Sequence, residues 1–285
     1  MRIFFFGMGY SSQATAEVLR HDDPDIAIAG TVRDAAKAAA LAARNYEIGI
    51  FDGEHAGAIG VPLANASHVV VSTPPGAKGD PVLRQHWQDL ARSPSLRWLC
   101  YFSTVGVYGD AGGALIDETA PRQPESQRSR QRLTAEDEWR SFAREKGVPL
   151  LILRLAGIYG PQRSTFDRLR EGTARRIIKP GQVFNRIHVA DIGRVTALAA
   201  RRELDGAFNL ADDEPAPPQD LVAYAAELMG VVPPPEEPYE TAEMTPMARS
   251  FYADNKRISN AAIKRALGID LLYPTYREGL AALRP

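Results

Sequence analysis

Six short runs of apolar, β-branched or aromatic residues alternate with longer helix-like stretches over the first 156 positions of this chain. They are "RIFFFG", "DIAIAGTV", "YEIGIF", "ASHVVVST", "LRWLCYFST" and "VPLLILRLAG", with helical patterns over 11–20, 34–44, 81–92 and 127–146. A strand that alternates apolar and polar residues has one wet face. Runs that are apolar throughout are buried on both faces, which a parallel sheet covered by crossover helices provides. The pattern therefore predicts an α/β fold with a doubly wound parallel sheet. Beyond about 156 it loosens into a short strand-like "RIHVA", a helix over 191–203, a strand "GAFNLA" and a helix over 218–229. The proline-rich "VVPPPEEP" at 231–238 fits neither a helix interior nor a central strand and reads as an exposed connection. The expected division is a nucleotide-binding domain over 1–160, with 182–203 packing back onto it, and a smaller α/β substrate lobe over 161–285.

Composition narrows the function classes. The chain has 285 residues, 45% of them hydrophobic, enough for a sizeable core, and a formal net charge of −1, so no global basic field invites nucleic acid. A single cysteine, Cys100, excludes an internal disulfide and a cysteine-built zinc site and fits a reducing compartment, so a cytoplasmic protein is expected. With no cluster of Cys or His, no metal site is expected. No apolar run approaches the roughly 18 to 20 residues of a membrane helix, and the start lacks the three-part pattern of a secretion signal.

The first run ends in Gly7-Met8-Gly9 and passes into a helix at Tyr10, Ser11 and Ser12. Between a buried strand and a helix, Gly-x-Gly lets the backbone turn sharply and lets a pyrophosphate approach the unpaired N–H groups at the helix start. Ser12 replaces the third glycine of the usual G-x-G-x-x-G with another small residue. The alternative is a tight turn with no ligand. At the end of the second run stands Thr31-Val32-Arg33, with no acid in the position that would bind a ribose 2′-hydroxyl. An arginine there suits a 2′-phosphate, so NADP is expected over NAD. Alternatively, Arg33 is solvated or paired with Asp34.

With "FSTVGVYGD" at 102–110, "RLAGIYGPQR" at 154–163, "RIHVADIGRV" at 186–195 and "GAFNLADDEP" at 206–215, the chain resembles the extended short-chain dehydrogenase/reductases, the family of nucleotide-sugar epimerases, dehydratases and related reductases. The motifs occur in the family's order and, with the first strand, cover nearly the whole chain. The resemblance implies that Asp52 lies near the adenine, and that Ser72, Thr73 and Pro74 lie near the adenosine ribose or the pyrophosphate. Two departures mark the chain as atypical. The family's T-G-x-x-G-x-x-G turn is absent, and so is its Tyr-x-x-x-Lys pair. Thr104 matches the family's catalytic Ser/Thr, but Arg128 stands at the tyrosine position and Arg132 at the lysine position. No tyrosine occurs anywhere from 109 to 158. Arginine keeps its proton at all accessible pH, so Arg128 cannot exchange one as a phenol does.

The same resemblance places Arg163 and Arg168 where extended members meet their substrates, which suits an anionic ligand, and puts His188, the third candidate substrate residue, in a motif that packs between the lobes. Alternatively the arginines form a solvated face, and His188 is a buried packing residue. Tyr108 and Tyr159 read as packing residues of turn motifs, with Tyr108 close enough in sequence to Thr104 to be tested as a replacement phenol. The leading functional expectation is an NADP-dependent oxidoreductase or epimerase-like enzyme acting on a small molecule. The alternatives are an NADP(H)-binding sensor without turnover and a non-redox lyase or isomerase. A second copy of the chain is an open expectation as partner; nucleic acid and membrane are not expected.

Overall fold

The computed structural model describes residues 1–284. The chain divides into two compact units: one comprises 1–107, 127–154 and 192–208, the other 108–126, 155–191 and 209–285.

The first unit is built on β1 (Arg2–Phe6), β2 (Ala27–Val32), β3 (Glu47–Ile50), β4 (His68–Val71), β5 (Trp98–Thr104) and β7 (Leu150–Leu155), with β11 (Gly206–Leu210) completing a seven-stranded sheet in the order β11-β7-β5-β4-β1-β2-β3. The pairings β1–β2, β1–β4, β2–β3 and β4–β5 are all parallel. The helices are α1 (Tyr10–Asp22), α2 (Ala35–Ala42), α3 (Gly60–Ala64), α4 (Pro81–Arg92), α5 (Gln127–Lys146) and α7 (Val189–Arg201). The runs that were apolar throughout are the central strands, and β4 and β7 are buried at every position. Phe4, Phe6, Val69, Leu99, Tyr101 and Ile152 pack with Trp139 and Phe142 of α5 in one core. Each such buried side chain contributes about 1.5–3 kcal/mol. On α1 the buried residues are Ser11, Ser12, Thr15, Ala16 and Leu19, nearly all small, so the helix lies close to its neighbours. A side chain on Gly193 of α7 would meet the Ala14 carbonyl oxygen at 2.7 Å, so the two helices approach at backbone contact.

The second unit holds β6 (Leu115–Ile116), β8 (Gly157–Tyr159), β9 (Arg176–Ile178), β10 (Arg186–His188), β12 (Glu236–Pro238) and β13 (Arg257–Ile258), joined as three parallel pairs, β10–β8, β12–β9 and β13–β6. Its helices are α6 (Thr165–Arg170), α8 (Pro218–Met229), α9 (Pro246–Ser250), α10 (Ala261–Leu267) and α11 (Tyr276–Ala282). Phe166, Leu221, Ala225, Tyr276 and Leu280 form its main core. The boundary between the units is crossed several times along the chain. Residues 108–126 and 155–160 belong to the second unit, and 192–208 return to the first. The proline-rich stretch, expected as a bare connection, contributes β12, a short strand of the kind a proline tolerates at its edge.

Candidate nucleotide-binding and reaction site

β1 delivers Gly7 at φ +91°, a conformation that disfavours any side chain, and a Cβ there would also meet Ser72 Oγ at 2.7 Å. The turn is braced on every side. Gly7 N donates to Thr31 Oγ1 at 3.0 Å and Met8 N to the Thr31 carbonyl at 2.7 Å. Ser72 Oγ donates to the Gly7 carbonyl at 2.6 Å, Thr73 Oγ1 to the Phe6 carbonyl at 3.1 Å, and Ser12 Oγ to Ser72 Oγ at 3.1 Å. Thr31, Ser72 and Thr73, expected beside the nucleotide, therefore hold the turn in shape. Met8 departs from expectation: its side chain is fully buried, lies against Gly30 and turns away from any ligand. Pro74 is exposed beyond the braced pair.

Gly9 differs from Gly7. Its torsions, φ −82° and ψ −165°, suit any residue, and a Cβ on it would meet nothing within 4 Å. It opens α1, whose N-cap makes no side-chain hydrogen bond and whose first turn carries no acid. Tyr10, Ser11 and Ser12 form that first turn, with Ser11 and Ser12 buried. Open space in front of an uncapped helix start is what a pyrophosphate requires, so the turn fits a dinucleotide.

At the end of β2, Arg33 is exposed and makes no hydrogen bond or ion pair among the described residues. Asp34 is occupied elsewhere, as the N-cap of α2, accepting from Lys37 N at 2.8 Å. Asp52, expected near the adenine, closes its own loop instead. It accepts from the backbone N–H of Glu54 and of His55, each at 2.8 Å, and pairs with His55 Nδ1 at 2.8 Å. The His55 side chain and these backbone donors hold its carboxyl well below the usual range.

At the end of β5, Thr104 Oγ1 accepts from Gly106 N at 3.2 Å. Arg132, at the lysine position, is turned to the strand: its Nη1 donates to the Phe102 carbonyl at 2.7 Å and to the Tyr101 hydroxyl at 3.1 Å. Arg128 is exposed and makes no hydrogen bond or ion pair among the described residues. The α5 side chain beside the Thr104 loop is Ser129, which sequence reasoning missed. Its Oγ lies 2.7 Å from where a Cβ on Gly106 would sit, and Thr104 Oγ1 lies 3.5 Å from the same point. Beneath this end, Glu136 of α5 is fully buried and meets Arg154 Nε at 3.1 Å and Nη2 at 2.9 Å. It also accepts from Ser103 Oγ at 2.6 Å. Burial pushes its carboxyl up, but Arg154, with Ser103 and Arg140, outweighs that and holds it below the usual range.

In the second unit the arginine run is largely neutralised: Arg170 pairs with Asp167, Arg175 with Glu237 and Arg176 with Glu236. Arg163 and Arg168 are exposed. His188 is not presented to a substrate. It is 3% exposed, its ring packs between Tyr159 and Tyr273, its Nδ1 accepts from Ala190 N at 3.2 Å, and burial lowers its pKa to about 4. Tyr108 is buried and donates to Asn209 Oδ1 at 2.7 Å, which removes it as a replacement phenol. Tyr159 is buried against Gly279. Asp212 is buried with no side-chain hydrogen-bond partner. Burial, opposed by the charge of Arg186, raises its pKa to about 8. Among the described residues there is no group of three His, Cys, Asp or Glu able to hold a metal, and no helix long and apolar enough to cross a membrane.

Comparison with known proteins adds four findings. The profile of the NAD dependent epimerase/dehydratase family matches residues 88–211. A functionally unknown conserved protein from Silicibacter pomeroyi is 44% identical, over 99% of this chain and 98% of its own, with a TM-score of 0.89. dTDP-glucose 4,6-dehydratase from Bacillus anthracis, solved in complex with NAD, shares the fold at 15% identity and a TM-score of 0.78, over 98% of this chain and 94% of its own. In addition, a Streptomyces protein named 3-diazoavenalumate denitrifying reductase is 25% identical over 210 residues, 68% of this chain and 67% of its own.

Proposed function

The chain belongs to the NAD dependent epimerase/dehydratase family, whose members bind a nicotinamide cofactor, and we propose that it is an NADP-dependent oxidoreductase acting on a small substrate without the Tyr/Lys pair. Gly9 carries this reading: nothing within the fold requires a glycine there, whereas a pyrophosphate lying on the uncapped start of α1 does. Bound there, the dinucleotide supplies hydride chemistry. The choice of NADP rests on the unpaired Arg33 and on the absence of an acid at the end of β2. Reduction as the reaction class is supported by the Streptomyces reductase. Arg128, exposed and unpaired, is assigned to an anionic group of cofactor or substrate, and Arg163 and Arg168 to an anionic substrate. Assignment to the cytoplasm is supported by the single, buried Cys100.

One observation favours a second reading, a nucleotide sensor without turnover: Arg132 spends its guanidinium on β5 rather than offering it outward. Fluorescence titration with NADPH and NADH, followed by NADPH consumption against a panel of carbonyl compounds, separates the two. Tight NADPH binding with no consumption of any compound would favour the sensor, and no binding at all would remove both.

A further inference from the structure

The loss of the tyrosine leaves a chemical question at the end of β5, which the geometry around Gly106 answers. Thr104 Oγ1 accepts the Gly106 N–H at 3.2 Å, so its own proton is directed to a different acceptor. Ser129 Oγ lies 2.7 Å, and Thr104 Oγ1 and Cγ2 each 3.5 Å, from the point a Cβ on Gly106 would occupy. The two hydroxyls are therefore at most about 6 Å apart, and two hydrogen bonds of about 2.8 Å to a single oxygen span nearly that gap. Any side chain on residue 106 would fill the space between them, and glycine keeps it open.

We infer that Thr104 and Ser129 form a two-hydroxyl cradle for a carbonyl oxygen, and that the substrates are electron-poor conjugated carbonyl compounds. The inference rests on the NADP-dependent reading. Aliphatic hydroxyls hold their protons far too tightly to act as acids at neutral pH, unlike a lysine-tuned phenol, but they donate hydrogen bonds to a developing oxyanion. The substrate must therefore stabilise that charge itself. Its electron-poor carbon takes a hydride, with both electrons, from the reduced nicotinamide. The hydride enters at the carbon conjugated to the carbonyl, the carbon–carbon π pair shifts toward the carbonyl carbon and the carbon–oxygen π pair onto the oxygen held by Thr104 and Ser129, the nicotinamide ring is oxidised, and a solvent proton later neutralises the oxyanion. An unactivated ketone gives a localised alkoxide, which needs the missing acid.

The test uses the full chain with NADPH, 1,4-naphthoquinone as the activated probe and cyclohexanone as the unactivated one, beside titration of para-nitrophenolate by its own absorbance with and without NADP⁺. The expected outcome is turnover of the quinone only, with a rate that lacks the limb of a titrating phenol. Ser129→Ala lowers that turnover on the order of 100-fold and weakens nitrophenolate at least about fivefold, and Ser129→Thr restores both. If Ser129→Ala leaves nitrophenolate affinity and turnover at the parent's level, the cradle is wrong. If NADPH binds but the quinone is not reduced, or cyclohexanone is reduced as fast, the substrate class is wrong. If NADPH fails to bind, the underlying nucleotide reading falls as well.

Discussion

At Gly9 the backbone torsions suit any residue and a Cβ would stand in open space, whereas at Gly7 the positive φ and the nearby Ser72 hydroxyl both exclude one. The two glycines of one turn therefore separate into a ligand requirement and a folding requirement. Gly9→Val is expected to cost at most about 1 kcal/mol of stability, read from a urea midpoint, while NADPH binding by fluorescence is lost. Gly7→Val should instead lose stability by roughly 1–2 kcal/mol. Arg33→Ala should weaken NADPH on the order of tenfold to a hundredfold and leave NADH unchanged, since one charge-assisted hydrogen bond contributes about 1.5–3 kcal/mol. Equal affinities of the parent for the two nucleotides would remove Arg33 from the site. The sequence made Gly7, Gly9 and Arg33 visible because backbone freedom and charge are properties of residue type. It did not reveal that Ser72 and Thr73 turn to backbone carbonyls beside the turn or that Asp52 closes its own exposed loop, because a short polar side chain serves a ligand or a neighbouring backbone group equally well, and only the fold decides which is in reach.

Among the elements, α5 shows both what was legible and what was not. Its limits, 127–146, follow from pattern alone, as do the seven strands of the main sheet. Which side chain it sets beside Thr104 does not. Adjacent residues on a helix point about 100° apart, so an error of one position exchanges Ser129 for Arg128. That rotation is fixed by the buried Glu136–Arg154 pair, which ties α5 to β7, and by Ser103, which ties it to β5. Arg154→Met is expected to lower stability by up to about 3–5 kcal/mol, because it takes from the buried Glu136 carboxylate its buried charge partner and leaves only Arg140 and Ser103. Adding Glu136→Leu should recover much of that loss in the same urea titration. A double variant no more stable than the single one would show that the pair acts through something other than charge. Of the short strands only β10 was legible, as "RIHVA"; β6, β8, β9, β12 and β13 escaped sequence reading for a related reason: two or three residues carry no periodicity, and their pairing is set by partners distant in the chain.

For the whole molecule, the folded state holds a proton that the unfolded chain releases. The pKa of Asp212 rises from 3.8 to about 8 in the fold, so between those values the native state binds more protons than the unfolded state and stability falls as pH rises. The slope for one such proton is at most about 1.4 kcal/mol per pH unit. Asp212→Asn cannot ionise, so the difference between its urea midpoint and the parent's should grow in the variant's favour from about pH 5 to about pH 8, a comparison in which the opposite contribution of the buried His188 cancels. A parallel decline in both proteins would place the effect elsewhere. The interleaving of the two units has a consequence during synthesis. A nascent chain released as far as residue 160 has all the residues of the nucleotide turn, but β7 still has an open edge and α1 lacks the helix that Gly193 brings against Ala14. Those parts arrive only with 192–208, so the first unit closes only after two segments of the second, 108–126 and 155–191, have left the ribosome. Until then the unpaired edge is exposed to other chains. Cutting the gene at 160 to obtain a free nucleotide-binding fragment should therefore give aggregate, whereas supplying 161–285 as a separate chain during refolding should restore it.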